Sequence, residues 1–283
     1  MKPIKDRMTT SAFLGPAVVT VGAVLLIPFG YTIVRSFFSS GSGEFAGLAN
    51  YGTIFTDPTL QRSLFNTVFW AVGALVLPVT AGLLIAVMTN SMKLGALARA
   101  VVIIPYAFAG TVVAIIGTTL FSTVGAINQA LELVGLEENS WLLVWPSNVI
   151  SSIVISSWQM TGVNVVLFMV GLQTIPKETL EAAAIDGAGG IIRFRNIVLP
   201  QIRAITAVVI GLTITNALRA FDVIWVLTRG GPNRSSETLA LSMYRQSFLL
   251  LDPGVGSALA VVLAIVVVAA SWLYLRRQIK TVS

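Results

Sequence analysis

Residues 181–200 read EAAAIDGAGGIIRFRNIVLP and separate two long apolar stretches of the chain. This segment carries four charged side chains and three glycines, a composition that does not suit the core of a bilayer. Helix-forming residues lie on both sides of Gly187, where a left-handed turn would end a first helix. We therefore expect a compact loop outside the membrane, with a shape that another protein could hold.

Composition restricts the class of protein. Of the 283 residues, 55% are hydrophobic and 11% are charged, and the mean hydropathy is +0.87. Soluble domains contain about 25% charged residues, so a chain this apolar must be buried in lipid. The sequence has no cysteine and no histidine, which excludes thiol nucleophiles, histidine bases and the common zinc and haem ligand sets.

Six apolar runs are long enough to cross a membrane, since a spanning helix needs about 20 residues. They cover roughly 12–34, 64–89, 100–120, 149–173, 204–228 and 255–275. Internal prolines such as Pro28, Pro78 and Pro105 are tolerated in membrane helices when neighbouring groups satisfy the freed carbonyl. The expected fold is all-α, a polytopic membrane bundle of six transmembrane helices. The first run is too long for a cleaved signal peptide, and no small-residue cleavage site with a soluble domain follows it.

The basic residues predict the orientation of the bundle. Twelve of them fall in the loops of one side, among them Lys2, Lys5, Arg7, Arg276, Arg277 and Lys280. Five fall in the loops of the other side. We expect both termini and the 181–200 loop to be cytoplasmic. The basic residues do not cluster as a nucleic-acid patch would require, so no nucleic-acid partner is expected.

Two of the expected external segments contain structural signals. Residues 50–62 place apolar side chains at Tyr51, Ile54 and Phe55, which predicts a short helix on the membrane surface. The 229–254 loop is too apolar for a free linker and is expected to fold back against the outer mouth of the bundle.

The cytoplasmic segment, about 176–199, is expected to form two short helices at an angle. Pro176 suits a first helical turn, and Gly187 permits the turn that ends the helix. Leu180, Ala183 and Ala184 form one apolar side, and Ile191, Phe194, Ile197 and Val198 form another. A helix of this kind could lie in the groove of a partner. The alternative from the residues alone is an ordinary loop that rests on its own bundle.

The segment resembles the EAA loop of permease subunits in ATP-binding-cassette importers. The residues that carry this resemblance are Glu181, Ala182, Ala183, Asp186, Gly187, Ala188, Phe194, Leu199 and Pro200. The resemblance implies that these residues form coupling helices that dock into a separate ATPase subunit. No GxxxxGK[ST] run is present to hold ATP phosphates, so ATP and Mg²⁺ are expected on partner ATPase subunits and no cofactor on this chain.

Motifs over most of the chain resemble the carbohydrate branch of that family, of the maltose or glycerol-3-phosphate type. They include Phe221-Asp222 and the run from Leu227 to Pro232, LTRGGP, which resemble the larger-type permease of sugar importers. Ala204 and Gly117 depart from the family pattern, which often has proline and tryptophan there. The resemblance implies a type I importer permease fold over 1–283 as a single transmembrane domain. It also implies a second permease, two ATPase subunits and an extracytoplasmic sugar-binding protein as partners, in the bacterial cytoplasmic membrane.

The fifth span carries polar residues that could line a substrate pathway. Arg219 and Asp222 are intramembrane charges three residues apart, a spacing that allows them to face each other on one helix. Thr213, Asn216 and Ala220 share one face, beside Ala217. Hydroxyl and amide groups there suit the hydroxyls of a sugar, and the resemblance implies substrate contacts on this face. The alternative for Arg219 and Asp222 is a structural ion pair.

The fourth span offers Ser156, Ser157, Trp158, Gln159, Thr161 and Asn164. Trp158 could stack on a sugar ring or simply pack at an interface. Asn164 could contact substrate or bridge helices, as polar groups in spans often do.

The sequence therefore predicts a non-enzymatic permease subunit that imports a di- or oligosaccharide by alternating access. A first alternative is glycerol 3-phosphate or another polyol as cargo for the same machinery. A standalone secondary transporter would require an internal inverted repeat and a coupling carboxylate, and no repeat is visible. A structural membrane scaffold would not explain the shaped cytoplasmic loop.

Overall fold

A computed structural model describes residues 13–90 and 92–282, without the side chains of Leu275 and residues 277–282. The basic residues Lys2, Lys5 and Arg7 and the expected start of the first span lie outside the described residues. Helices account for the regular structure of the described chain, apart from an isolated antiparallel bridge between Phe38 and Phe45. In chain order they are α1 Phe13–Arg35, α2 Ala49–Thr56, α3 Pro58–Asn90, α4 Gly95–Ile103, α5 Gly110–Leu120, α6 Ala126–Leu133, α7 Ser147–Gln173, α8 Lys177–Ile185, α9 Gly190–Gln201, α10 Arg203–Leu218, α11 Asp222–Leu227, α12 Leu239–Tyr244 and α13 Pro253–Val282.

Four described helices, α1, α3, α7 and the Pro253–Tyr274 part of α13, are long and apolar enough to cross a membrane. Two further helix pairs pass the same test together but are bent. A 99° bend separates Gly95–Ala107 from α5, and a 74° bend separates α9 from α10. Counting each bent pair as one span gives six, the number predicted from the sequence.

Two breaks correct the sequence expectation that the third span, 100–120, and the fifth span, 204–228, are continuous helices. In the third, Pro105 lies in a 3₁₀ turn over Ile104–Ala107, and Phe108 and Ala109 are extended. In the fifth, α10 ends at Leu218 and a new helix begins at Asp222. Hydropathy does not register such breaks, because the apolar residues continue through them.

The described chain divides into two compact units, Met1–Gln61 with Ser242–Ile265, and Arg62–Leu241 with Val266–Ser283. The single-domain organisation expected from the sequence therefore stays a prediction. In the first unit, the Asp252 carboxylate caps the start of α13 through the Val255 amide at 3.1 Å and also accepts a hydrogen bond from the Ser40 hydroxyl. The short helix expected in 50–62 is confirmed as α2, where buried Asn50 donates to the Ser36 and Phe38 carbonyls.

The second unit is built around α7, whose buried face packs against its neighbours. One apolar cluster joins Phe168 and Leu172 of α7 to Ala86 of α3 and Ile202 and Val209 beside and within α10. Glycines allow the close approach of these helices, as is common in membrane bundles. A Cβ at Gly82 would stand 2.6 Å from the Cβ of Asn164, and one at Gly162 would stand 2.9 Å from the Val102 carbonyl oxygen.

Gly117, where the sequence departs from the family pattern, has a similar packing role in α5. A Cβ there would stand 2.9 Å from Leu227 and 3.1 Å from Ile155. A larger side chain would force the side chains of Leu227 and Ile155 to shift. The glycine thus brings α11 close to α5, beside the cavity described next.

Candidate substrate cavity and coupling helices

A cavity of about 540 Å³ lies within the second unit, between α3, α5, α7, α10 and α11. It is lined by seven of the eight residues predicted for the substrate pathway, namely Asn164, Thr213, Asn216, Ala217, Arg219, Ala220 and Asp222. The eighth, Trp158, does not line it, and its side chain is 44% exposed on the outside of α7. Ser156 and Gln159, noted in the same span, do line the cavity.

Three hydrogen-bonding side chains in the cavity wall are left without a partner among the described residues. They are the Trp70 indole Nε1, the Ser156 Oγ and the Asn164 Nδ2. Trp70 and Asn164 are each only 2% exposed. A buried polar group without a partner costs about 1–3 kcal/mol, so these three groups lower the stability of this conformation.

Trp70 is the lining residue that sequence analysis missed most clearly. It lies four residues after Asn66 and four before Ala74, so all three follow one face of α3. Ala74 also lines the cavity. Helical spacing from the polar Asn66-Thr67 pair was the signal that could have found it.

The two charged residues of the fifth span do not behave as one helical pair. Arg219 caps the end of α10 in a non-helical conformation, and Phe221 precedes α11 with φ −132° and ψ −57°. The i, i+3 geometry expected from the sequence is therefore absent. Among the described residues, neither Arg219 nor Asp222 forms an ion pair, so both charges line the cavity unneutralised by a direct partner.

The hydroxyl hydrogen of Thr213 is not free to bind a ligand, contrary to the sequence expectation. Its hydroxyl donates to the Val209 carbonyl at 2.8 Å within α10, and the side chain is buried. It can still offer the hydroxyl oxygen as an acceptor to a ligand.

The segment after α11 folds back on the same unit, as expected. Asn66 Nδ2 donates to the carbonyls of Ser235 at 2.7 Å and Glu237 at 2.9 Å, and Asn148 Nδ2 donates to Gly231 at 3.1 Å. These amides tie the 231–237 segment to α3 and α7. The ties restrict the movement of α11 beside the cavity.

The coupling segment forms two helices joined by a tight turn, as predicted. Gly187 has φ +73°, the Ala188 amide donates to Ala183 at 2.9 Å, and the Gly187 amide donates to Ala184 at 3.2 Å. This is the Schellman arrangement that ends α8. Pro176 precedes α8 rather than forming its first turn, and Pro200 lies at the end of α9 rather than starting the next helix.

The apolar sides of α8 and α9 point differently from the sequence expectation. Ala183 and Val198 are buried, and Leu180 and Phe194 pack against the cluster around Phe168. These residues fasten the segment to its own bundle. The surface that remains consists of Ile185, Ile191 and Ile192, which are exposed, with exposed Glu181, Ala182, Asp186 and Gly187 beside them. Ala188 is half-buried.

Residues 78–279 match the family described as binding-protein-dependent transport system inner membrane component. The chain is 34% identical over 282 residues to the probable ABC transporter permease protein YurN of Bacillus subtilis, with 96% of each chain covered. It is 33% identical to the sulfoquinovosyl glycerol transport system permease protein SmoG of Agrobacterium fabrum, over 96% of this chain and 90% of that one.

In fold, the chain is similar to a chain of a bacterial ABC transporter involved in the import of the acidic polysaccharide alginate. The TM-score is 0.87 at 20% identity, and the match covers 99% of this chain and 98% of that one. On its sequence match and its near full-length relatives, this chain belongs to the family of inner membrane components of binding-protein-dependent transport systems.

Proposed function

We propose that this chain is a permease subunit through which an ATP-driven importer moves a di- or oligosaccharide across the bacterial inner membrane. The observation that carries the proposal is the cavity of about 540 Å³, whose wall contains the polar residues Ser156, Gln159, Asn164, Thr213 and Asn216. Sugars offer many hydroxyl and ring oxygens, which match indole, amide and hydroxyl donors.

The apolar part of the lining supports the same class of cargo. Trp70, Tyr106 and Phe221 contribute aromatic surface to the cavity wall. Aromatic rings pack against the C–H faces of sugars, while polar groups fix their orientation. The names of two proteins reported above support the proposal. One belongs to a transport system for a glycoside, sulfoquinovosyl glycerol, and the other to an importer of the polysaccharide alginate.

Arg219 favours a second candidate cargo. The guanidinium lines the cavity without an ion pair among the described residues. A phosphate such as that of glycerol 3-phosphate would be a strong bidentate partner for it. Asp222 stands in the same wall and repels an anion, so the neutral sugar remains the first proposal.

As a member of its family, the chain is a multi-pass membrane component of a transport system rather than an enzyme. We place ATP and Mg²⁺ on two partner ATPase subunits, a second permease beside this chain, and a sugar-binding protein outside the membrane. The exposed surface of Ile185, Ile191 and Ile192 is where an ATPase subunit would hold α8 and α9. Closure of the ATPases would then move the spans, and the cavity would open alternately to the two sides.

In the second unit, packed side chains connect α8 and α9 to the helices that line the cavity. Leu180 of α8 and Phe194 of α9 pack on the same cluster as Phe168 of α7 and Val209 of α10. α10 carries Thr213 and Asn216 into the cavity wall. A displacement of the coupling helices would therefore act directly on two walls of the cavity.

Uptake by the purified complex tests the proposal. The complex of both permeases and two ATPase subunits is reconstituted in vesicles, and uptake of labelled oligosaccharides and of glycerol 3-phosphate is measured. We expect uptake of an oligosaccharide that requires both ATP and the binding protein. Omission of ATP and omission of the binding protein are the controls. Uptake of glycerol 3-phosphate alone would favour the second candidate, and uptake without ATP would refute the assignment.

A further inference from the structure

The turn between α10 and α11, residues 219–221, forms part of the cavity wall. Arg219, Ala220 and Phe221 line the cavity together with Asp222, the first residue of α11. The turn is not helical, since Arg219 has φ −102° and ψ 12° and Phe221 has φ −132° and ψ −57°. A continuous helix through this point would bring Arg219 and Asp222 together on one side, where opposite charges attract. The conformation of the turn therefore affects whether these two charges face the cavity or each other.

A side chain from the segment after α11 holds this turn. The Thr238 hydroxyl donates a hydrogen bond to the Ala220 carbonyl at 3.2 Å. Carbonyls at the end of a helix have no partner within it, so they need a donor from elsewhere. Thr238 is 3% exposed and does not line the cavity. Its hydroxyl therefore acts on the cavity through Ala220 rather than by contact with cargo.

Thr238 is itself fixed by hydrogen bonds on both sides. The Asn66 Nδ2 donates to the Glu237 carbonyl at 2.9 Å, and the Leu239 amide donates to the Thr67 hydroxyl at 2.8 Å. Asn66 and Thr67 are consecutive buried residues of α3. The peptides before and after Thr238 are thus attached to one turn of α3. A donor held in this way can orient its acceptor, because little of its own freedom remains to be lost.

The rest of the segment 229–237 is anchored as well. The Glu237 carboxylate is fully buried and accepts a hydrogen bond from the Arg234 Nε at 2.8 Å within an ion pair. Asn148 of α7 donates to the Ser235 hydroxyl at 2.9 Å. The segment is therefore attached to α3 and α7 and is not free to follow α11.

These contacts maintain a strained backbone. Arg229, Asn233 and Arg234 have φ values of 50°, 48° and 60°, in the left-handed region that residues other than glycine rarely adopt. Such residues persist where the surrounding structure over-determines them, and they cluster at functional sites. A simple connection between two helices would not need this conformation.

The start of α11 is fixed on its other side by α5. A Cβ at Gly110, the first residue of α5, would stand 3.9 Å from the Asp222 Cβ. The next residue, Val223, packs against the apolar cluster that contains Val113 and Ile155. These contacts hold the start of α11, and the hydrogen bond described above holds the turn before it.

We propose that Thr238 is a positioning residue that keeps Arg219 and Asp222 apart in the cavity wall, where both charges are available to the cargo. Among the described residues, neither charge forms an ion pair. Without the hydrogen bond at Ala220, the turn can relax towards a helical path on which the two charges pair with each other. A paired Arg219 and Asp222 offer fewer groups to the hydroxyls of a sugar. The inference rests on the proposed function and adds to it a specificity-determining residue outside the cavity.

Uptake kinetics of the full reconstituted complex test this proposal. The cargo is the labelled oligosaccharide that the wild-type complex transports, at saturating binding protein. Thr238→Val keeps the shape of the side chain and removes the hydroxyl, so KM should rise roughly two- to tenfold, the loss expected for one hydrogen bond. Thr238→Ser keeps the hydroxyl and should restore the wild-type KM. If Thr238→Val does not assemble, Thr238→Ala lacks the same hydroxyl and carries the same expectation.

Thr161→Val is the matched control. Thr161 is also buried, but its hydroxyl donates to the Ser157 carbonyl within α7, and it does not line the cavity. The control loses the same hydroxyl from the same type of residue without a change at the turn. Its KM should equal that of the wild type.

A double-mutant cycle separates positioning from a loss of stability. Arg219→Gln removes the charge and should raise KM in the wild-type background. In the Thr238→Val background, the same change should have little further effect, because Arg219 no longer faces the cargo there. A merely structural role for Thr238 would leave the effect of Arg219→Gln unchanged.

Additive losses in the cycle, a wild-type KM in Thr238→Val, or a KM that Thr238→Ser does not restore would each overturn the proposal. An equal rise of KM in Thr161→Val would do the same. If the wild-type complex transports no oligosaccharide with its binding protein and ATP, the proposed function is refuted instead.

Discussion

The indole N–H of Trp70 is buried in the cavity wall and has no partner among the described residues. Asn164 and Ser156 share that condition across the same cavity. Folding alone would have favoured apolar residues at these positions, since an unpaired buried donor reduces stability. Each of these groups therefore lowers the stability of this conformation.

The first prediction concerns which tryptophan contacts the cargo. Trp70→Phe removes the indole N–H and keeps an aromatic ring, so the KM for uptake should rise roughly two- to tenfold, the loss expected for one hydrogen bond. The measurement is uptake by the reconstituted complex over a range of cargo concentrations, at saturating binding protein. Basal ATPase activity should not change.

Trp158→Phe is the matched control for this prediction. Trp158 undergoes the same chemical change, but it does not line the cavity. Its KM should equal that of the wild type. A larger effect at Trp158 than at Trp70 would show that the sugar contact lies on the outer side of α7.

At the scale of elements, the packing of α8 and α9 decides which of their sides faces inwards. α8 and α9 bury Ala183, pack Leu180 and Phe194 against their own bundle, and expose Ile185 and Ile191. Helical periodicity identified two apolar sides but could not say which of them faces inwards. The neighbouring helices α7 and α10 decide this, because they supply the cluster onto which the segment packs.

The second prediction concerns the turn between α8 and α9. Gly187→Ala places a Cβ at φ +73°, where an L-residue is destabilised by about 1–2 kcal/mol, although no atom lies within 4 Å of that Cβ. The turn should shift, and binding-protein-stimulated ATPase activity and uptake should fall together. The measurement compares both activities in the purified complex.

Gly189→Ala provides the control, since its Cβ also meets nothing within 4 Å and its φ is −60°. It adds the same methyl group without backbone strain. Normal activity in both variants would mean that the conformation of this turn is unimportant for coupling.

The second unit carries different surfaces at the two ends of α7. Residues 121–141, with three exposed carboxylates, lie before its first residue, and α8 and α9 follow its last. The excess of basic residues in one set of loops predicts that the coupling end is cytoplasmic. The length of α7 places the two surfaces on opposite sides of a membrane.

The third prediction uses the absence of cysteine in the natural sequence. Single variants Leu133→Cys, Ile191→Cys and Val282→Cys are labelled with a membrane-impermeant thiol reagent in spheroplasts and again after lysis. Residues 133 and 191 are both well exposed. Position 133 should react before lysis, and positions 191 and 282 only after it. Labelling of 282 before lysis would contradict the cytoplasmic C-terminus.

The sequence by itself determined the class of this protein. Six apolar runs, the EAA segment and the polar residues of the fifth span were enough to predict an all-α permease and most of its cavity residues. These features are local, since hydropathy, turn glycines and helical spacing depend on residues close together in the chain.

Only the tertiary structure decided the rest. The breaks at Phe108–Ala109 and at Arg219–Phe221, the exclusion of Trp158, the inclusion of Trp70 and the inward side of the coupling helices depend on contacts between helices distant in sequence. The hydrogen bonds by which Asn128 closes the 121–141 segment at both ends also join residues that no periodic pattern pairs. Packing and hydrogen bonding between distant segments choose among the faces that a sequence pattern offers, so these features could not be read from periodicity alone.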